Sequence, residues 1–135
     1  MNETELQAFL DRPFTATVST VSPRGTVHSV PVWFRYGEGV FTVWTDSARR
    51  WVRHLAKNSN ATVVVAEHQA PFAAVVVHGM GEVTIDEAGT DEAIRRIVER
   101  YLPADQVDAY LKVWSSLRTI VRIRPTLIRS WSRGY

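Results

Sequence analysis

The sequence predicts a mostly β (α+β) fold, with about six antiparallel strands and short peripheral helices. The first observation is alternation: polar neighbours separate Phe14, Ala16 and Val18, which is the period of a half-buried strand. The second is that turn-forming and helix-capping residues divide the chain at short intervals. Because 135 residues suit one core, we expect a single domain over residues 1–135.

The first part of the chain is predicted to contain one helix and three strands. Leu6, Phe9 and Leu10 have helical spacing, and Pro13 ends this helix. The strands are predicted at residues 14–19, 26–36 and 40–45. Pro31 lies inside the second strand and cannot donate to a sheet ladder, so it marks an edge, a bulge or an interruption.

The middle of the chain is predicted to form a helix and two strands. The helix covers residues 48–57, and Asp46 or Ser47 caps it. A Val-rich buried strand follows at residues 61–67, and a longer strand at residues 73–86. Gly79 and Gly81 in the longer strand indicate bending or close backbone approach, which suits a closing barrel.

The last part of the chain contains two predicted helices and a final strand. The helices cover residues 90–102 and 104–117 and are separated at Pro103. The strand covers residues 118–124, after which Pro125 leads into residues 127–131. The helices therefore interrupt the β pattern once.

Composition and motifs exclude several classes of protein. The chain has no cysteine, which excludes disulfides, thiolate metal sites and cysteine nucleophiles. A Walker loop, a dinucleotide-binding fingerprint and a G-x-S-x-G elbow are all missing. The four histidines fall in separate elements without a carboxylate partner, so we expect no metal site. With neither a basic leader nor a long apolar run, we expect a cytoplasmic protein without membrane insertion.

The segment with the clearest chemical signal runs from Trp44 to Leu55. Here a predicted strand ends, polar caps follow, and Arg49, Arg50 and Arg53 lie on the first helical turns. Guanidinium groups beside a helix start can bind a phosphate. The alternative is a solvated basic helix face that packs through Trp51 and Leu55, and the pattern alone leaves both interpretations open.

The order of these segments resembles a known superfamily. The carrying segments are V-H-S-V-P-V-W-F at residues 27–34, W-T before the arginine-bearing helix, V-H-G-M-G-E-V at residues 77–83, and I-R-P-T-L-I-R-S-W at residues 123–131. This order resembles the pyridoxamine 5'-phosphate oxidase-like superfamily, and within it the small F420-dependent (deazaflavin) reductases. The resemblance implies a six-stranded antiparallel split β-barrel. It also implies a homodimer with a cofactor groove at the interface.

The resemblance also implies a set of cofactor-binding residues. They are His28, Ser29, Val30, Pro31 and Trp33 beside the ring, Ser47, Ala48, Arg49, Arg50, Trp51 and Arg53 at the phosphate turn, and Trp131 in the groove. Two positions depart from the family pattern: Trp51 stands where relatives commonly have Lys, and His54 where they have Asn. The first departure removes one expected cation from the phosphate cradle.

The function implied is hydride transfer between coenzyme F420 and a small conjugated substrate, with no catalytic residue singled out. An FMN-binding oxidoreductase and a non-catalytic split-barrel protein that binds a cofactor or ligand are the alternatives. Arginines near the carboxyl end, interleaved with tryptophan, are a weaker signal for nucleic acid. Because the net charge is only +2, we expect no nucleic-acid partner.

Overall fold

All strands of the protein, seen in a computed structural model that describes residues 1–135, belong to one antiparallel sheet. The seven strands are β1 (Ala16–Val21), β2 (Val27–Val32), β3 (Phe34–Gly37), β4 (Val40–Thr45), β5 (Asn60–Ala66), β6 (Ala74–Ile85) and β7 (Thr119–Trp131). Their order across the sheet is β2-β1-β5-β6-β7-β4-β3. The helices are α1 (Glu3–Leu10), α2 (Arg50–His54), α3 (Thr90–Val98) and α4 (Ala104–Val113). The predicted mostly β split barrel is confirmed.

The strand count differs from the prediction at Trp33. The single strand expected over residues 26–36 is two strands, β2 and β3, which form the two opposite edges of the sheet. Trp33 is the only residue between them, and its ring stacks on Tyr101 with centroids 4.7 Å apart. The chain therefore crosses from one edge of the sheet to the other at Trp33, and this is where the barrel is split.

The main core fills the inside of the curved sheet. Alternate residues of every strand point into it, and the fully buried rings of Phe34 and Phe41 lie 5.7 Å apart near its centre. α1 covers one end through Leu6, Phe9 and Leu10. α2 contributes Trp51 and Val52 to the same cluster, so this short helix is anchored by apolar burial.

A second, smaller core lies on the outer face of the sheet. Ile94 and Val98 of α3 and Val107 of α4 pack there against Ile120 of β7. Trp33 and Trp44 are partly buried against this cluster. The helices that interrupt the β pattern therefore cover the outside of β4 and β7 and bring aromatic side chains to the split.

A bulge joins the two longest strands. His78 of β6 pairs with Leu127 of β7 and Gly79 pairs with Pro125, so Thr126 is the extra residue. A Cβ at Gly79 would lie 2.6 Å from the carbonyl oxygen of Arg124, which confirms the predicted close approach. β7 continues to Trp131 instead of ending near residue 124, because the bulge accommodates a proline without an N–H.

The helices are shorter than predicted at their ends. α2 covers Arg50–His54 rather than residues 48–57, because Asp46 accepts a hydrogen bond from the backbone N–H of Ala48 (2.9 Å) and forms a turn there. α3 and α4 end at Val98 and Val113, before the predicted residues 102 and 117. None of the helices combines the length and the apolar character needed to cross a membrane.

Candidate functional site

A cavity of about 270 Å³ opens where the barrel is split. Its walls come from β2, β4, the start of α2 and the outer helices. The lining residues are Val30, Pro31, Val32, Trp33, Trp44, Thr45, Arg49, Trp51, Ile97, Tyr110, Trp114 and Leu117. We call this space the aromatic cavity. Its apolar lining with a single charged side chain is typical of a small-molecule site.

Aromatic rings stack along one wall of the aromatic cavity. Tyr101 and Tyr110 lie against Trp33, with centroid distances of 4.7 and 5.4 Å and interplanar angles of 8° and 30°. The Trp44 ring lies edge-on to the Tyr110 ring with centroids 6.2 Å apart, and the Trp114 ring is tilted against the Tyr110 ring with centroids 6.4 Å apart. Such a series of planar faces is suited to a flat conjugated ligand.

Hydrogen bonds hold this wall to the backbone. The hydroxyl of Tyr101 accepts from the N–H of Phe34 (3.1 Å) and donates to the carbonyl of Phe14 (2.8 Å). The indole N–H of Trp44 donates to the carbonyl of Leu117 (2.7 Å). These bonds fix the ring orientations because each polar tip has a defined backbone partner.

Two side chains that line the aromatic cavity can bind polar or charged groups of a ligand. Burial raises the pKa of the Tyr110 phenol above its usual value, so its hydroxyl is protonated at neutral pH and can donate a hydrogen bond. Arg49, which is exposed and makes no ion pair, supplies a positive charge at the rim. The aromatic cavity therefore offers planar faces, a hydroxyl donor and one cation.

The turn before α2 positions the predicted phosphate-binding residues. Arg49 is the N-cap of α2, and its N–H donates to the carbonyl of Asp46 (3.2 Å). Ser47 is half-buried, while Ala48, Arg50 and Arg53 are exposed. The three arginines therefore lie on α2 and its N-cap, next to the aromatic cavity, but only Arg49 lines that cavity.

Trp51 belongs to the core and not to this cluster of charges. Its side chain is only 3% exposed, and it forms part of the cavity wall. The buried hydroxyl of Thr20 donates to the Trp51 carbonyl (3.0 Å). Because this uses the one proton of Thr20, the 3.1 Å contact with Nδ1 of His54 requires His54 to donate. α2 is thus attached to β1 through its backbone.

His28 and His54 form a pair that their sequence positions do not indicate. Their rings meet edge-on with centroids 4.8 Å apart. Burial is the main cause that lowers the pKa of His54 below its usual value, and the charges of His28, Arg50 and Arg53 lower it further. The pair has no carboxylate partner and lies beyond the aromatic cavity, next to α2.

The structure brings together part of the predicted set. Val30, Pro31, Trp33, Arg49 and Trp51 all line the aromatic cavity. The remaining predicted residues, His28, Ser29, Ser47, Ala48, Arg50, Arg53 and Trp131, do not line it. The hydroxyl groups of Ser29 and Ser19 form a hydrogen bond (Oγ to Oγ, 2.7 Å) on the outer face of the sheet. Trp131 lies at the carboxyl end of β7, where it pairs with Ala74 of β6.

Sequence reasoning missed the aromatic residues that complete the wall. Tyr110 and Trp114 are four residues apart and therefore share one side of α4 and its end. Trp114 is 44% exposed, so it is not needed as core. This spacing of two large aromatics was the available signal, but only the fold shows that they face Trp44.

Fold and cavity together define a split-barrel protein with a cavity lined by aromatic residues at the split. A family model described as pyridoxamine 5'-phosphate oxidase matches residues 3–132. The chain belongs to the pyridoxamine 5'-phosphate oxidase family, and the resemblance stated from the sequence is confirmed. No match to the sequence was found among functionally curated proteins.

Solved structures share the fold over nearly the whole chain. An F420 reductase is similar at 25% identity, with a TM-score of 0.71 over 91% of this chain and 94% of that chain. A conserved hypothetical protein of Mycobacterium tuberculosis gives 23% identity and a TM-score of 0.79 over 97% and 84% of the respective chains. An FAD-binding protein of Mesorhizobium loti gives 16% identity and a TM-score of 0.72 over 96% and 94%. The last two show the fold alone.

Proposed function

We propose that this chain is an oxidoreductase that uses a flavin-type ring cofactor, coenzyme F420, to transfer hydride to or from a small conjugated substrate. The observation that carries the proposal is the aromatic cavity at the split of a barrel that is similar to an F420 reductase. The alternatives are an FMN-dependent oxidoreductase and a non-catalytic binding protein. The absence of cysteine supports a cytoplasmic location, which stays a prediction.

The residues present fit a tricyclic ring. Pro31 has no N–H, and β2 is an edge strand, so backbone groups on its open side have no strand partner. Trp33 and Tyr110 both line the aromatic cavity and stack on each other at 5.4 Å. A planar ring can therefore lie with its edge along β2 and its face on the aromatic wall.

The cations at the mouth fit the phosphate of such a cofactor. Arg49 lines the aromatic cavity, and Arg50 and Arg53 are exposed on the adjoining helix without ion pairs. Guanidinium groups bind phosphate through paired hydrogen bonds. Since Trp51 is buried in the wall, these three arginines take over the charge of the lysine that relatives commonly carry there.

Trp51 also bears on the identity of the cofactor. A buried indole extends the apolar wall at the position where the family pattern has a cation, so residue 51 adds apolar contact and no positive charge. A deazaflavin ring and a flavin ring have the same tricyclic outline, so either can pack against this wall. The choice of F420 rests on the similarity to the F420 reductase, and FMN is the direct competitor in the test.

A homodimer completes the site in this proposal. The sheet face directed away from the main core carries a cross-strand row of Ser29, Ser19, Thr62, His78 and Leu127. Beside this row, Val27 is 61% exposed and Met80 43%, and Leu127 itself is 46% exposed. Burying these side chains against a second copy removes apolar surface from water. Trp131 would then reach the groove from the partner copy.

The bound cofactor supplies the hydride chemistry, and the chain supplies binding and orientation. The aromatic wall and Ile97 exclude water from one side of the ring, which protects a reactive centre. Tyr110 holds a proton on its hydroxyl oxygen, because burial keeps its pKa high. This hydroxyl can donate a hydrogen bond to a carbonyl oxygen of a conjugated substrate as negative charge develops there.

The proposal is tested by titrating the purified full chain into F420 and, separately, into FMN, with cofactor fluorescence as the readout. We expect the R49Q/R50Q variant to lose about tenfold or more in affinity, because two charge-assisted contacts are removed. The matched control R24Q/R133Q removes the same charge from exposed positions elsewhere. Turnover is then measured with reduced cofactor and a panel of quinones and enones.

Each result decides between the candidate functions. F420 binding with turnover supports the proposal, and FMN binding with turnover supports the flavin alternative. Binding without turnover favours the non-catalytic protein. If neither cofactor binds, or if both double variants bind equally well, the assignment of the aromatic cavity is wrong. Leu127→Glu tests the dimer by sedimentation, with Val113→Glu as the exposed apolar control on α4.

A further inference from the structure

A second cavity, unlike the first in chemistry, lies on the other side of α3. It has a volume of about 360 Å³ between the outer face of β3, β4 and β7 and the first turns of α3. Four arginines from three elements line it: Arg35, Arg96, Arg122 and Arg124. We call it the arginine cavity. It shares no lining residue with the aromatic cavity.

The sheet register explains why these arginines come together. Arg35 of β3 pairs with Thr42 of β4, and Thr42 pairs with Arg122 of β7, so one small side chain separates two arginines in a cross-strand row. Neighbouring strands are about 4.8 Å apart, so Arg35 and Arg122 start from positions on either side of Thr42 on the same face of the sheet. Arg124 follows on the same face of β7, two residues along.

Glycine makes room for one of the guanidinium groups. A Cβ built on Gly37 would lie 2.7 Å from Nη1 and 2.9 Å from Cζ of Arg35. The guanidinium group of Arg35 therefore lies along β3 in the space that a side chain at Gly37 would fill. This holds Arg35 half-buried against the sheet instead of extended into solvent.

The arginines of the arginine cavity are only partly paired with carboxylates of the protein. Arg96 pairs with Glu92 at 2.7 Å, but Arg35, Arg122 and Arg124 make no ion pair. Arg122 donates one hydrogen bond, to the hydroxyl of Thr84 at 3.3 Å. Glu38 is the other lining carboxylate, so four guanidinium groups face two carboxylates. The lining residues thus carry a net charge of about +2, and Glu82, which pairs with Arg122 across β6 and β7, makes no ion pair with it. Because Arg96 and Arg124 are exposed to solvent, this charge attracts anions most strongly at low ionic strength.

We propose that the arginine cavity is a binding site for a small phosphate-bearing polyanion, separate from the cofactor site. Arginine forks bind phosphate through paired hydrogen bonds. A phosphate group carries nearly two negative charges at neutral pH, which matches the excess charge better than one carboxylate does. Because Ile97 of α3 lines the aromatic cavity and Arg96 lines the arginine cavity, α3 separates the two sites.

The test is calorimetric titration of the full chain with pyrophosphate at low ionic strength. We expect the arginine cavity to bind one pyrophosphate per chain, and R35Q/R124Q to lose about tenfold or more of that affinity. Arg122 is left in place because it bonds Thr84. The matched double variant R24Q/R133Q removes the same charge from exposed positions and should stay within about twofold of the parent chain. R49Q/R50Q removes the arginines that the proposed function assigns to the cofactor phosphate, so it reports any pyrophosphate bound at that site, and R35Q/R124Q should cause the same loss in this background.

The proposal is overturned if the parent chain does not bind pyrophosphate, if R24Q/R133Q loses as much affinity as R35Q/R124Q, or if R35Q/R124Q causes no loss in the R49Q/R50Q background. Should R35Q/R124Q fail to fold, the single variant R124Q carries the same test, because that side chain is exposed and makes no hydrogen bond. Cofactor binding is measured on the same variants. Cofactor affinity should be unchanged in R35Q/R124Q. A loss of pyrophosphate binding can then be told apart from a loss of cofactor binding, so each proposal can be refuted without the other.

Discussion

Replacing Trp51 by lysine, the residue that relatives commonly carry, tests whether the structure places this side chain correctly. Trp51 is 3% exposed in the main core. A buried tryptophan removes about 200 Å² from water, worth about 5 kcal/mol at about 25 cal/mol per Å². A lysine stem recovers roughly half of that, so Trp51→Lys should lower the free energy of unfolding by about 2–3 kcal/mol.

The assay is urea unfolding followed by far-ultraviolet circular dichroism, with thermal unfolding in parallel. For a chain of 135 residues, the expected loss corresponds to a fall in Tm of about 7–11 °C. Arg50→Lys is the control, because Arg50 is the exposed neighbour of Trp51 and the change should cost less than about 0.5 kcal/mol. A loss below about 1 kcal/mol together with tighter F420 binding would refute the reasoning, because it would place residue 51 in the phosphate cradle.

Three further predictions follow from backbone contact, titration and hydrogen bonding. Gly79→Ala should lower the free energy of unfolding by about 2–3 kcal/mol in urea, because its Cβ would meet the Arg124 carbonyl. Gly81→Ala should cost less, about 1–2 kcal/mol, because its Cβ would meet the methyl groups of the buried Leu55 side chain and not the backbone. Because the pKa of His54 is lowered in the folded state, the unfolded chain takes up a proton first on acidification, so stability should fall as pH drops below about 6.5. His54→Gln should flatten this dependence in urea melts at two pH values, and an unchanged slope would contradict it. Tyr110→Phe should lower kcat about tenfold or more with cofactor affinity within about twofold, as measured by steady-state kinetics and fluorescence titration.

The strands could be predicted because the signal for each is local. Alternation depends only on neighbours two residues apart, and the residues that alternate in β1, β4 and β5 are those that the structure buries. Gly79 was likewise recognisable, because a glycine inside a strand has few uses other than a bend or a close approach. These features needed no knowledge of distant partners.

The break at Trp33 could not be predicted, because its cause lies far along the chain. Tyr101 stacks on the Trp33 ring and bonds the backbone of Phe34 from 67 residues away. Pro31 indicated an irregularity but allowed an edge, a bulge or an interruption. The count of six strands instead of seven follows from this one residue. Helix ends were missed for a similar reason, since hydrogen bonds from turns compete with the last helical turn.

The candidate site was predictable only in part, because two sources of information disagreed. Position-by-position resemblance put Trp51 among the phosphate ligands, whereas apolar spacing put it on the buried face of its helix. The structure agrees with the prediction from apolar spacing, because Trp51 is buried. Of Arg49, Arg50 and Arg53, only Arg49 lines the aromatic cavity. A residue that departs from a family pattern is thus better located by its own chemistry than by the pattern.

The insertion of α3 and α4 between β6 and β7 has the largest consequence for function. The sequence predicts only that two helices interrupt the β pattern here. In the structure, these helices provide Ile97 and Tyr110 to the aromatic cavity and Arg96 to the arginine cavity. The insertion is held to the sheet mainly by Ile94, Val98 and Ile120. The same apolar cluster holds α3 in place beside both cavities. A substitution in that cluster that shifts α3 should therefore change ligand binding at both cavities, whereas a substitution of a lining residue should affect only the cavity that it lines.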